Sequence, residues 1–410
     1  MHLTLHIGTP KTGTTTLQQW LTANRAALHT QRIWYSAALS EPANRKISVA
    51  NGDFDASRRE FYRFGIGSPA DQAAFRDEAR SDLAREMATA RSAGCRHFVI
   101  SDEYLFQNTG KPEACERLKD FLGDGYDGVT VLLHLRPQVD VAVSHASNGN
   151  MTKQPTDTAL FEAIGPGTKF YDYDTLTTAW ETAFGTDAIE IVPFKRHPSM
   201  ADCLAERLGI DMASLSPAGR RNTALGLSGI AFSNALRIPA GGHAVTEYFY
   251  RELRRDGPLD DEKLSIGLPL ARKVQARFDD LNAALAARFE GLFPSDLEPD
   301  WEKYERPANL HRLDAETLLE KPLNAATDRL VTSLARERAR THLLRARIAR
   351  SEGNEEGFER HLRKAEEHLA IARLGDDDKG RNDRLQASLL ALRAEEPRRT
   401  FLQRLFGRRR

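Results

Sequence analysis

The stretch Ile7-Gly8-Thr9-Pro10-Lys11-Thr12-Gly13-Thr14-Thr15-Thr16-Leu17 decides how the N-terminal half of this chain is read. An apolar strand pattern enters it, two glycines flank a tight turn, and a helical pattern leaves it. Glycine lets the backbone come close to a ligand. A helix that begins just after such a turn presents free N–H groups and the positive end of its dipole, which together favour an anion. Lys11 adds a full charge, and Thr14, Thr15 and Thr16 add hydroxyl donors. Gly8 and Gly13 have the spacing of a Walker A loop, in which the lysine follows the second glycine. Here Thr14 holds that position and the lysine lies inside the loop, which argues against an ordinary ATP or GTP hydrolase.

Outward from the loop, short β-rich runs at 3–7, 32–35, 97–101, 129–135 and 189–194 alternate with helical stretches near 14–28, 71–92, 112–122, 138–148, 173–184 and 199–209. Strands of this length spaced by amphipathic segments predict βαβ units, and so an α/β fold with a parallel sheet in three layers. In such sheets ligands gather at the carboxyl ends of the strands. Thr9 to Lys11, Asp102 and Glu103, Arg136, and Lys195 with Arg196 all fall at such ends, as a single cleft requires. Beyond residue 224 the strand signal fades, and 224–237, 243–255 and 259–290 read as helices. Pro294, Pro299, Pro307 and Pro322 punctuate a looser stretch. The expected organisation is a catalytic domain over 1–300, a linker over 301–322, a helical region over 323–396 and a basic tail over 397–410. Within the helical region, Ala346 to Asn354 followed by Phe358, Leu362 and Ala365 looks like one tetratricopeptide unit. No second copy stands at the repeat period, so an ordinary helical hairpin is the expectation.

The chain has 410 residues, with 58 Lys plus Arg against 58 Asp plus Glu. That balance implies no polyelectrolyte partner such as nucleic acid. Three scattered cysteines, Cys95, Cys115 and Cys203, have no metal-ligand spacing and leave one over from any disulfide, which favours a reducing compartment. The first residues show no signal-peptide pattern, and no apolar run approaches the roughly 20 residues of a membrane helix. The expected location is cytoplasmic.

A second motif stands at Leu135-Arg136-Pro137-Gln138-Val139-Asp140-Val141-Ala142-Val143-Ser144. A strand ends on Arg136, and Pro137 suits the start of a helix. Arg136 offers a planar donor fork and Ser144 a hydroxyl, both suited to phosphate. Eight helical residues span roughly 12 Å, so the two meet one phosphate only if the arginine reaches along the helix.

The string Thr-Pro-Lys-Thr-Gly-Thr-Thr closely resembles the 5′-phosphosulfate loop of sulfotransferases that use 3′-phosphoadenosine 5′-phosphosulfate (PAPS). The resemblance implies that Lys11 contacts the phosphosulfate and that Thr12, Gly13, Thr14, Thr15 and Thr16 cradle the 5′-phosphate. It implies further that Arg136 and Ser144 bind the 3′-phosphate, on a P-loop-like core. It extends loosely through residues 171–208, and nothing beyond about 240 contributes. Arg220-Arg221-Asn222 is a weaker candidate for a late phosphate-contacting loop, against a solvated basic loop.

In sulfotransferases the catalytic His or Glu commonly follows a strand between the two phosphate motifs. Glu103, in Phe98-Val99-Ile100-Ser101-Asp102-Glu103, occupies a comparable place, with Asp102, His134 and His145 as alternatives. The same string also resembles a Walker B strand, which keeps a magnesium-dependent P-loop NTPase or kinase as the second reading. A non-catalytic helical scaffold is the third. No metal is expected in the first reading, and the acceptor is illegible beyond a hydroxyl or amine. Six arginines interleaved with Phe401, Leu402, Leu405 and Phe406 make the tail a candidate for weak contact with an anionic membrane surface, although a solvated terminus is the favoured reading.

Overall fold

The computed structural model describes residues 1–55, 59–108, 111–147, 155–168, 170–197, 199–217, 225–235, 262–314, 318, 320–374 and 379–394. Five strands form where the runs of Leu, Ile, Val and Phe lie: β1 (His2–His6), β2 (Ile33–Tyr35), β3 (His97–Ser101), β4 (Gly128–Leu135) and β5 (Ile189–Pro193). All pair in parallel, in the order β2-β3-β1-β4-β5.

A parallel sheet needs cover on both faces, and the side chains supply two separate cores. On one face Leu3, Leu5, Ile7, Phe98, Ile100 and Leu133 pack with the helices Pro69–Ser92, Pro112–Leu122 and Tyr173–Phe184. On the other, Val99, Leu132 and Val192 meet Leu17, Trp20 and Leu204 of the helices Thr14–Ala23 and Met200–Leu208. The expected three layers are therefore present. Trp180 is buried in the first core and stacks on Phe184 with ring centroids 5.6 Å apart.

The topology sets where a ligand can lie. The chain leaves β1 towards β2 on one side of the sheet, and leaves β4 towards β5 on the other. Neighbouring strands whose connections part in this way open a crevice between their carboxyl ends. Here that crevice lies between β1 and β4.

The chain divides into two compact units, one of Met1–Ala224 with Glu262–Leu313 and a second of Leu225–Asp261 with Asp314–Arg410. The second unit has its own apolar core, in which Leu343, Ala346, Phe358, Leu362, Leu369 and Leu389 interlock. Its long helix, Glu320–Ser351, starts ahead of Pro322, where the sequence predicts a looser stretch. Proline is tolerated in a first helical turn because the N–H it lacks there has no intrahelical partner. A turn at Gly353 (φ 72°) leads into the helix Glu355–Leu374, so the tetratricopeptide-like segment is a helical hairpin. The helix Lys379–Ala394 packs against it. No helix among the described residues is long and apolar enough to cross a membrane.

Candidate active site

The loop after β1 closes as its glycines suggest. Gly8 has φ 47° and Gly13 φ 93°, both in the left-handed region. A Cβ on Gly8 would come within 2.5 Å of the Thr14 methyl and 3.2 Å of the His6 ring, so the position excludes a side chain on space as well as on backbone angle. Lys11 also has a positive φ, 70°, a conformation that costs a non-glycine residue about 1–2 kcal/mol. Thr9 and Thr12 are buried and hold the turn from within. The Thr9 hydroxyl donates to the His134 carbonyl at 2.5 Å, and the Thr12 hydroxyl donates to the Thr9 carbonyl at 2.8 Å.

The helix that leaves the loop, Thr14–Ala23, has Gly13 as its N-cap, no side-chain cap and no acidic residue in its first turn. Its leading N–H groups are thus arranged as in an anion site. Thr15 and Thr16 lie in this first turn, each partly exposed.

Three strand ends are locked together around the loop. The Ile7 amide donates to the Leu132 carbonyl at 3.1 Å, and the Asp102 amide donates to the His6 carbonyl at 3.1 Å. Across the crevice, Arg136 Nη1 donates to the Lys11 carbonyl at 3.0 Å. The two motifs, 125 residues apart in sequence, therefore meet. The Arg136 carbonyl accepts the Tyr173 hydroxyl at 2.7 Å, and its guanidinium lies 5.2 Å from the Phe194 ring centre. Arg136 Nε is buried without a hydrogen-bond partner.

Arg136, Asp140 and Ser144 recur at intervals of four, so they share one face of the helix Gln138–Ala146 and its lead-in. Asp140, to which the second motif assigns no role, sits between the other two. It accepts from Lys303 Nζ at 2.6 Å and from the Tyr304 hydroxyl at 2.8 Å, and lies 3.7 Å from Arg136 Nε. A carboxylate thus holds two cations side by side at the crevice. Lys303 and Tyr304 come from the stretch expected to be linker, and a separation of 163 residues hid the pairing. Ser144 is partly buried on the same helix.

At the end of β3 the carboxylates divide. Asp102 is fully buried and ion-paired with Arg45 Nη1 at 3.0 Å; burial pushes its carboxyl up and Arg45 pulls it back. Glu103 is partly exposed and accepts the Thr14 hydroxyl, while Arg45 Nη2 stands 3.6 Å from its other oxygen. The Arg45 guanidinium also lies 3.5 Å from the centre of the Tyr104 ring. Burial lowers the pKa of Arg45, but Asp102 and Glu103 outweigh it and hold the net shift upward. No local signal in the sequence picks Arg45 out.

The histidines behave differently from Glu103. His134 lies inside the sheet, its pKa lowered to about 2 by burial, with the His6 ring 5.7 Å away. His145 is buried beneath the helix face, 3.2 Å from the Tyr171 hydroxyl; burial, with a smaller contribution from Lys11, lowers it to about 4. Arg196 is paired with Asp296 and bonded to the Gly291 carbonyl at 3.0 Å, while Lys195 is exposed. Residues 220–222 and the tail 397–410 lie outside the described residues.

The fold thus brings the glycine turn after β1, Arg136 and Glu103 together at the carboxyl ends of β1, β4 and β3. No family model matches the chain, and neither do curated proteins or solved structures.

Proposed function

We propose that this chain is a sulfotransferase that moves a sulfuryl group from PAPS to a hydroxyl or amine. The observation that carries the reading is the loop itself. Its lysine stands inside the turn, and the Lys11 carbonyl is bonded to Arg136 from the opposite motif. One ligand with phosphates at both ends suits a crevice with an anion-binding element on each wall.

The residues present fit such a donor. The uncapped helix start after Gly13 suits a 5′-phosphosulfate beside Lys11, Thr12, Gly13, Thr14, Thr15 and Thr16. Arg136, on the opposite wall, suits a 3′-phosphate through its guanidinium charge, with Ser144 on the same helix face. PAPS supplies the sulfuryl group and a phosphate leaving group. Lys11 balances charge on that leaving oxygen, the kind of electrostatic stabilisation on which such transfers depend. Glu103 takes the acceptor proton, held at the rim by Thr14 and Arg45.

The second reading, a magnesium-dependent NTPase or kinase, draws on the apolar strand that leads to Asp102. Arg45 weighs against it, because its guanidinium occupies the carboxylate that a magnesium ion would need. A thermal-shift comparison separates the two. Adenosine 3′,5′-bisphosphate without metal is expected to raise Tm, since a ligand that binds only the folded state stabilises it in proportion to the logarithm of its excess. A shift with ATP-magnesium alone would overturn the sulfotransferase reading.

A further inference from the structure

The second unit carries a feature that a phosphosulfate site does not use. Along the outer side of the helix Glu320–Ser351, Leu334, Leu344 and Ile348 are 50%, 58% and 55% exposed. At 100° per residue these three fall within an arc of about 80°, which Thr341 and Glu337 share, the Glu337 carboxylate being paired with Arg340. The opposite side, with Ala339, Leu343 and Ala346, is buried in the hairpin core, so the stripe is a second apolar face on a helix that is already packed.

Charge defines what the stripe can meet. The same wheel places Arg340 and Arg347 along one edge and Arg338 and Arg345 along the other, and all four are exposed. The only acid between residues 330 and 351 is Glu337, which is paired with Arg340. A second copy of this helix would bring arginine edges against arginine edges, which repel. A strip of exposed Leu and Ile whose one acid is neutralised by Arg340, bordered on both sides by arginines, suits a flat anionic surface. There the side chains of the strip enter the acyl boundary while the arginines extend to the headgroups.

We infer that this helix face docks the protein on an anionic lipid bilayer. The contact is peripheral, is made by the second unit, and does not depend on the arginines after residue 397. Its affinity combines burial of the strip with attraction between arginines and lipid charge, so it weakens with salt.

The test is co-sedimentation of the full chain with vesicles of phosphatidylcholine alone and of phosphatidylcholine with phosphatidylserine. Binding is expected only to the anionic vesicles, and to fall as salt rises from roughly 0.05 to 0.5 M. In the full-length double variant Leu344→Ser, Ile348→Ser the partition coefficient should drop about tenfold or more. Both positions are over half exposed, so an unchanged Tm confirms that the hairpin is intact. Arg338→Gln, Arg345→Gln should lower binding and flatten its salt dependence with the strip untouched. Equal binding to neutral vesicles, or full binding by the double variant, overturns the inference. So does a dimer of the wild-type chain that the double variant converts to monomer, because the occupant is then a second copy.

Discussion

At the residue scale, the site rests on backbone angles that few side chains accept. Gly8→Ala places a methyl where Thr14 already stands and demands a left-handed backbone of an alanine. The expected cost is at least about 2 kcal/mol of stability, measured by urea unfolding, together with loss of bisphosphate binding. Gly94→Ala is the control. It has φ 75° with nothing within 4 Å, so it should cost only the backbone strain of about 1–2 kcal/mol and leave binding intact. Lys11→Ala tests the side chain rather than the turn. Turnover should fall by roughly 100-fold or more while Tm stays close to that of the parent, and full activity in this variant would remove Lys11 from the mechanism. Lys11, Glu103 and Arg136 were legible because each sits at the end of a recognisable strand. Arg45 and Lys303 were not. Their partners Asp102 and Asp140 are remote in sequence, and no local pattern encodes a contact made only by packing.

At the scale of elements, the hairpin of the second unit contains a small cluster with a pH signature. His342 Nδ1 lies 3.1 Å from His361 Nδ1, and the His342 ring stacks on His368 with centroids 5.6 Å apart. Burial lowers the pKa of His342, helped by His361 and His368 and by Arg345 and Lys364. His361 is lowered as well, by burial and then by Arg360, Arg345 and Lys364. Both groups take up a proton more readily in the unfolded chain. Their stability contribution is therefore fully present above about pH 6.5 and is lost as pH falls below that value. Hydrogen-exchange protection of 340–370, corrected for intrinsic rates, should drop between roughly pH 7.5 and 5.5. His342→Gln should remove most of that difference, and protection that ignores pH would dismiss the cluster. Elements themselves were the most readable level. The five strands lie within a residue or so of the expected runs, since strands covered on both faces are rich in apolar residues.

For the molecule as a whole, the first unit buries three neutral histidines, His6, His134 and His145, lowered by burial to about 3, 2 and 4. Unfolding releases each to its ordinary value near about 6.5. Below that pH the unfolded state gains up to three protons, so stability should fall by up to about 4 kcal/mol per pH unit until the folded groups titrate. Urea titrations at about pH 7.5, 6.5 and 5.5 check this. Stability should fall by about 1 kcal/mol across the first pair and about 3 kcal/mol across the second, and an equal midpoint at the lowest pH would mean that the histidines are not buried as neutral groups.

The sequence by itself determined the class of fold, the glycine turn after β1 and the arginine that ends β4, because periodicity, glycine placement and a strand-ending arginine are local signals. Only the tertiary structure decided that the loop and Arg136 share one crevice, because strand order is set by packing and not by chain order. It also separated Asp102 from Glu103, adjacent in sequence, by burying one against Arg45 and leaving the other at the rim with Thr14. Nearest neighbours in a strand-to-helix turn point to different places, and the fold decides which of them meets water.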